Sequence, residues 1–179
     1  MKNSREVTLH DLFIIKLQSL YNVESEIIKA LPKMIKKATN ADLKQGLEEH
    51  LAETKGHAER LEEIFQQLGE KPKKLKVEAI RGLVEDAKWV MENVKNPEAL
   101  DAALIAAAQY VEHYEMAGYG TAVEWAKLMN HTGAEELLQE TLDEEKAADE
   151  KLSKVAVTEV NDAVDMGMEI TGNMALGRV

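Results

Sequence analysis

The sequence predicts an all-α protein in which two related helical hairpins close into a four-helix bundle, with an additional helix in the connection between them. Three observations carry this expectation. Alanine, leucine, glutamate and lysine dominate a chain of 179 residues that holds only three prolines and ten glycines, so helix is favoured almost throughout. Apolar residues recur at helical spacing over long segments. A single offset of 91 residues also lays the first half of the chain over the second.

The elements follow in order. Thr8, with Asp11 three residues on, makes a capping-box start for a segment that runs to about Lys37. Pro32 lies inside it and is expected to kink the last turns rather than end them. After Thr39-Asn40 a second helix extends from about Ala41 to Leu68, stopped by Gly69. A third runs from about Val77 to Val94 and ends at Asn96-Pro97; a fourth spans about Glu98 to Met129. The loop Asn130-His-Thr-Gly133 leads to a last helix, about Ala134 to Val160. Residues 1–160 are thus expected to form the bundle and 161–179 a tail, whose Met166, Met168, Met174 and Leu176 lie among glycines and suit either a partner's groove or a disordered end.

The repeat ties these elements together. Glu49-His-Leu-Ala-Glu53-Thr-Lys55 lies over Glu140-Thr-Leu-Asp-Glu144-Glu-Lys146, and Leu9, Ile14, Gln18 and Glu24 lie over Leu100, Ile105, Gln109 and Glu115. One register holds across both helices of each hairpin and the loop between them. The stretch Gly69 to Asn96, with its own amphipathic helix, then serves as one long crossover, the ferritin-like arrangement of a four-helix bundle.

Composition excludes several functions. A net charge of −11 argues against nucleic acid as partner, and the one basic run, Lys71 to Lys76, reads as a solvated loop. The chain has no cysteine, so disulfides, thiolate metal sites and cysteine nucleophiles are ruled out. The N-terminus lacks a signal-peptide core and no run approaches ~20 apolar residues, which leaves no membrane partner and a cytoplasmic address as the default.

Chemistry enters where a core should be. Phe13, Leu17, Leu20, Glu24, Ile28, Leu31 and Ile35 form one helical stripe, apolar except at Glu24. On the fourth helix the equivalent stripe has Glu115 in its middle and Glu112 one turn earlier. Leu43, Leu47, His50, Thr54, His57 and Leu61 share a face with Glu53 on its flank, and Thr141, Ala148 and Leu152 share one flanked by Glu144 and Glu145. Glu24 and Glu53 are equidistant from the first loop, and Glu115 and Glu144 from the second. Four carboxylates are therefore expected in one layer, with no lysine or arginine on the stripes at that depth. One such glutamate can equally snorkel outward or bond a neighbouring Tyr or Gln. Several together repel and lose hydration, and two metal ions relieve all of them; such oxygen-rich sites with an imidazole suit iron, with manganese as the alternative. His50 and His57 can each ligate or sit as hydrogen-bonded core histidines, whereas His113 points away from Glu115.

With these residues in place, the chain resembles the YciE/YciF-like family of bacterial stress proteins, a branch of the ferritin-like superfamily. The resemblance is carried by Leu20-Tyr-Asn-Val-Glu24, Ala30-Leu-Pro-Lys33, His50-Leu-Ala-Glu-Thr54, Asp101 to Gln109, Val111-Glu-His-Tyr-Glu115, Gly118-Tyr-Gly120 and Glu140 to Lys146, and it extends from about Thr8 to Val157. It implies a bundle, often dimeric, linked to stress responses. Rubrerythrin-like relatives bind two irons through carboxylates of four helices, which implies Glu24, Glu53, Glu112, Glu115 and Glu144 as ligands. The superfamily's Glu-x-x-His has no counterpart here: Gly56 and Ala147 stand where it needs histidine.

Two functions are expected to compete. In the first, a di-metal carboxylate protein handles oxygen, peroxide or iron under stress, with Glu53 and Glu144 bridging, Glu24 and Glu115 terminal, Glu112 an alternate, and Tyr21 or Tyr114 nearby. In the second, a metal-free bundle acts as a homodimeric structural or protein-interaction module. The sequence names no substrate or catalytic residue and leaves open whether the protein is an enzyme.

Overall fold

The computed structural model describes residues 6–164. Within them the chain forms α1 (Leu9–Lys37), α2 (Ala41–Gln67), α3 (Glu78–Asn93), α4 (Pro97–Leu128) and α5 (Thr132–Val155), the last continuing into a π-helical stretch, Ala156–Val160. The hairpins α1–α2 and α4–α5 pack on each other to close the bundle, and α3 lies against α1 and α4. This is the expected bundle with its crossover helix. Residues 161–164 continue the helix, and the remainder of the expected tail lies outside the described residues. No helix among the described residues is long and apolar enough to cross a membrane.

Local chemistry sets the ends. Thr8 Oγ1 accepts from Asp11 N–H while Asp11 accepts from Thr8 N–H, a complete capping box. Asn40 and Asn96 cap α2 and α4 by accepting from Leu43 and Ala99 N–H. Helices α2 and α4 end alike. Gly69 and Asn130 both take positive φ, 70° and 58°, and the next residue's N–H reaches back to Phe65 and Ala126 carbonyls. Helix α1 runs through Pro32 to Lys37.

The crossover is tied to α1 by Leu75 N–H donating to the Gln18 carbonyl and Val77 N–H to Asn22 Oδ1. The first loop is pinned to α4. Asp101, buried near the start of α4, accepts from Thr39 N–H (2.8 Å), Thr39 Oγ1 (2.6 Å) and Asn40 N–H (2.7 Å). These contacts fix the depth of one hairpin against the other.

The core is in two parts. One apolar cluster gathers Ile27, Leu31, Leu47, Ile80, Leu104, Ala108 and Leu152; the other gathers Phe13, Leu17, Leu20, Leu61, Phe65, Tyr119 and Leu142. Every bundle helix carries buried polar residues near the junction of the two clusters: Glu24 on α1, His50, Thr54 and His57 on α2, Glu112 and Glu115 on α4, Glu145 on α5. The stripes thus place a polar layer across the middle of the bundle.

Because Asp101 satisfies three donors at once, Asp101→Ala is expected to destabilise the protein by about 3 kcal/mol, and Thr39→Val, which removes one donor, by about 1 kcal/mol. Thermal unfolding of the two variants checks both values. An Asp101→Ala protein as stable as wild type would show that the loop is held by other means.

Candidate metal centre

Four helices build the layer. Glu24, Glu115 and Glu145 are 0% exposed, Glu112 2%, His57 0% and His50 6%. Carboxylate or imidazole atoms of His50, Glu112, Glu115 and Glu145 lie within 4.8 Å of one another, and so do those of Glu24, His57 and Glu145. Glu145 belongs to both groups.

The structure brings together Glu24, Glu112, Glu115, His50 and His57 among the expected ligands, and it sets the other two at the rim. Glu144, expected as a bridge, lies at the rim: Arg60 donates to both of its oxygens (2.6 and 2.8 Å), and His57 Nε2 is 2.8 Å from it. Arg60 reaches Glu140 as well, so a cation stands beside the layer that the stripes did not reveal. Glu53, the other expected bridge, is half-buried and faces Lys151 at 3.9 Å and His50 Nδ1 at 3.7 Å. Glu145, the second flank of α5, occupies the centre instead. Its counterpart in the repeat is Thr54, which is also buried.

Tyr119 was not anticipated. Fully buried, it donates its phenolic O–H to Glu24 Oε1. The tyrosines that sequence singled out lie elsewhere: Tyr21 donates to Glu62, and Tyr114 packs at the edge of the apolar cluster beneath α3. Spacing held the missing signal, because Tyr119 follows Glu115 by four residues and so shares its face. His113 points outward, 3.5 Å from Asp149.

The electrostatics follow from burial. Desolvation pushes the Glu112 and Glu115 carboxyls well above their ordinary range, and the Glu145 charge pushes the same way. Burial and then Glu24 raise the Tyr119 phenol. At His57 burial works downward, but Glu145 (3.0 Å from Nδ1) and Glu24 (3.7 Å) outweigh it and hold the imidazole up at about 10. Burial opposes ionisation of Glu145 too, yet its contact with His57 keeps that carboxyl low. Glu144 is lowered by Arg60, and Glu53 by His50.

Among the described residues, nine buried side-chain nitrogen and oxygen atoms make no well-aligned hydrogen bond, and all belong to Glu24, His50, His57, Glu112, Glu115 and Glu145. Their near contacts are with one another, His57 Nδ1 standing 3.0 Å from Glu145 Oε1 and His50 Nε2 3.3 Å from Glu112 Oε1. Buried polar atoms are nearly always paired, so nine in one layer mark a place built for something other than protein partners. Carboxylate oxygens and imidazole nitrogens are the donor set of a hard or borderline cation, so these residues fit a metal.

Comparison with known proteins places the arrangement. The sequence profile of a family described as "Domain of unknown function (DUF892)" matches residues 8–165. Protein YciF of Escherichia coli strain K12 is 43% identical over 155 residues, which cover 86% of this chain and 93% of that protein. The crystal structure of the E. coli stress protein YciF superimposes with a TM-score of 0.83 at 42% identity, over 87% of this chain and 99% of that one. YcfI of Rhodopseudomonas palustris, described as a candidate structural protein, gives a TM-score of 0.83 at 46% identity, over 86% of this chain and 98% of that one. A protein of Xanthomonas campestris shares the fold at 17% identity, with a TM-score of 0.67 over 89% of this chain and 98% of that one.

The layer makes the metal-free protein sensitive to pH. Glu112 and Glu115 have folded pKa values above 4.5, so their contribution is present below 4.5 and is lost as pH rises through the folded values. His57, raised from 6.5 to about 10, contributes fully below 6.5 and loses that contribution as pH rises through about 10. The lowered carboxyls, Glu53, Glu144 and Glu145, act in the opposite sense, but only as pH falls below their ordinary 4.5. Thermal unfolding in chelator is expected to show Tm declining from about pH 5 to about pH 9. Glu115→Gln is expected to flatten that decline and to stabilise the metal-free protein at pH 8 by about 1–3 kcal/mol. A Tm that climbs over this range would contradict the charge assignment.

Proposed function

This chain belongs to the DUF892 family of YciF-like stress proteins, and on that premise we propose that its polar layer is a di-metal carboxylate centre, most simply di-iron, that handles oxygen, peroxide or iron. One observation carries the reading: the nine buried polar atoms without a well-aligned hydrogen bond all belong to the six residues of the layer. Leaving each such atom unsatisfied costs about 1–3 kcal/mol, and more where it is charged. Two cations would satisfy the set together. Glu145, common to both groups, is the bridging residue of this reading. His50, Glu112 and Glu115 would complete one side and Glu24 and His57 the other.

A metal pair of this kind supplies Lewis acidity and, for iron, electrons. The chain's own residues do the rest. The apolar clusters above and below exclude water along the bundle axis and so strengthen the charge interactions inside the layer. Tyr119 holds Glu24 in place through its O–H, and Arg60 holds Glu144, which in turn orients His57 through Nε2. The absence of a Glu-x-x-His pair is met on α2 by His50 and His57, which face the layer one turn before and one turn after Thr54.

A second reading, a metal-free homodimeric module that serves as a structural or interaction element, is favoured by His57. Standing among Glu24, Glu144 and Glu145, this imidazole is a built-in cation that offsets part of the buried charge. The description of the R. palustris relative as structural agrees with it.

Elemental analysis of protein purified without chelator and then supplied anaerobically with Fe(II) separates the readings. About two metals per chain are expected for wild type and for Glu144→Ala, and fewer than about one for Glu145→Ala with its helical content unchanged. Wild type without stoichiometric metal under these conditions would overturn the metal reading and leave the second.

A further inference from the structure

The layer is open on one side. Between α2 and α5 lies a cavity of about 270 Å³ whose floor includes His50 and Glu112. The α1–α4 side is closed: α3 covers part of it, and at Gly118 the helices approach so closely that a Cβ would stand 2.8 Å from Leu20 Cδ2. A second cavity that reaches His50 and Glu112, beneath α3, measures only about 30 Å³.

The open cavity is larger than a small oxidant needs. Water occupies about 30 Å³, and dioxygen or hydrogen peroxide needs little more, whereas an apolar cavity of about 150 Å³ already accepts benzene. By that scale this cavity holds a molecule of about ten heavy atoms. Leu43, Leu47, Ala148, Leu152 and Val155 give it an apolar stretch of wall, and charged side chains complete the lining.

Gly46 lines it as well. Glycine inside a helix costs about 1 kcal/mol relative to alanine. Neither a positive φ nor a close neighbour calls for glycine here, since a Cβ would meet nothing within 4 Å. The space beside Gly46 is the cavity itself.

The polar groups select the ligand further. Five carboxylates line the cavity against two ammonium groups, and one of these, Lys151, already pairs with Glu49 (3.6 Å) and Glu53 (3.9 Å). An anion would be repelled. An organic ammonium would have to displace the Lys151 ammonium from Glu49 and Glu53, and no phenylalanine, tyrosine or tryptophan ring lines the cavity to cage a quaternary one. At the floor, neither His50 nitrogen nor Glu112 Oε2 makes a hydrogen bond, and His50 Nε2 stands 3.3 Å from Glu112 Oε1. A metal would take one atom of each residue, which leaves the second His50 nitrogen and the second Glu112 oxygen for a head group that both donates and accepts, a hydroxyl or hydroperoxyl.

We infer that the α2–α5 cavity binds a neutral organic molecule of about ten heavy atoms, with an apolar body against Leu47 and Leu152 and a hydroxyl or hydroperoxyl head on His50 and Glu112. The inference deepens the proposed function by naming the substrate class as organic hydroperoxides and their alcohols, and it rests on that reading only for the chemistry after binding.

Cumyl alcohol, a redox-inert probe of this size, tests binding by calorimetry on the full chain, with and without Fe(II). Wild type and Gly46→Ala are expected to bind one equivalent. Gly46→Met, which fills the cavity while improving helix propensity, is expected to bind at least about tenfold more weakly with unchanged metal content and a thermal stability no lower than that of wild type. Xylitol, of similar size but polar throughout, is expected not to bind. Absence of saturable cumyl alcohol binding to wild type, or equal binding by a folded Gly46→Met, would overturn the inference. Probe binding to a wild type that takes up no metal would uphold the cavity and sink the di-metal reading; metal uptake without probe binding would do the reverse.

Discussion

The structure turns on the burial of four carboxylates, Glu24, Glu112, Glu115 and Glu145, in the middle of an otherwise apolar four-helix core. Side chains of this kind lose strong hydration when buried and repel one another at short range. The bundle tolerates them because two imidazoles share the layer and because apolar clusters above and below supply the burial that holds the helices together. The capped helix ends and the Asp101 clasp on the first loop matter for the same reason. A helix that turned by one residue, about 100°, would exchange a layer residue for a flank residue.

Much of this was legible in the sequence. Stripe periodicity placed Glu24 and Glu115 at the centre of their helices, and the distances to the two loops placed them at one depth. His50 and His57 were readable as inward-facing because they share a face with Leu47 and Leu61. The choice between Glu144 and Glu145 was not readable in the same way. Both flank the apolar stripe of α5, and the repeat favoured Glu144 because it aligns with Glu53. In the folded chain Arg60 draws Glu144 outward, and Glu145 turns inward opposite the small Thr54. Arg60 itself went unread because its stem leaves α2 from the flank and only its guanidinium reaches α5. Asp101 carries no helical signature at all; its role exists only once the first loop lies beside α4.

The two halves, alike in register, have become unlike in chemistry. His50 and His57 have Thr141 and Ala148 as repeat partners, so imidazoles enter from one hairpin only. Glu112 and Glu145 enter from the other. An asymmetric layer of this sort gives two unequal groups of side chains joined at Glu145, one beside the α2–α5 cavity and one beside Tyr119. The first is reachable from the cavity; the second lies deeper in the bundle.

Whether the layer holds two metal ions about Glu145 is open to direct observation by anomalous diffraction at the iron edge, from crystals prepared anaerobically with Fe(II). Two peaks are expected inside the bundle, one bounded by His50, Glu112, Glu115 and Glu145 and the other by Glu24, His57 and Glu145. Crystals with no peak in the layer, or with iron only on surface carboxylates, would contradict the di-metal centre.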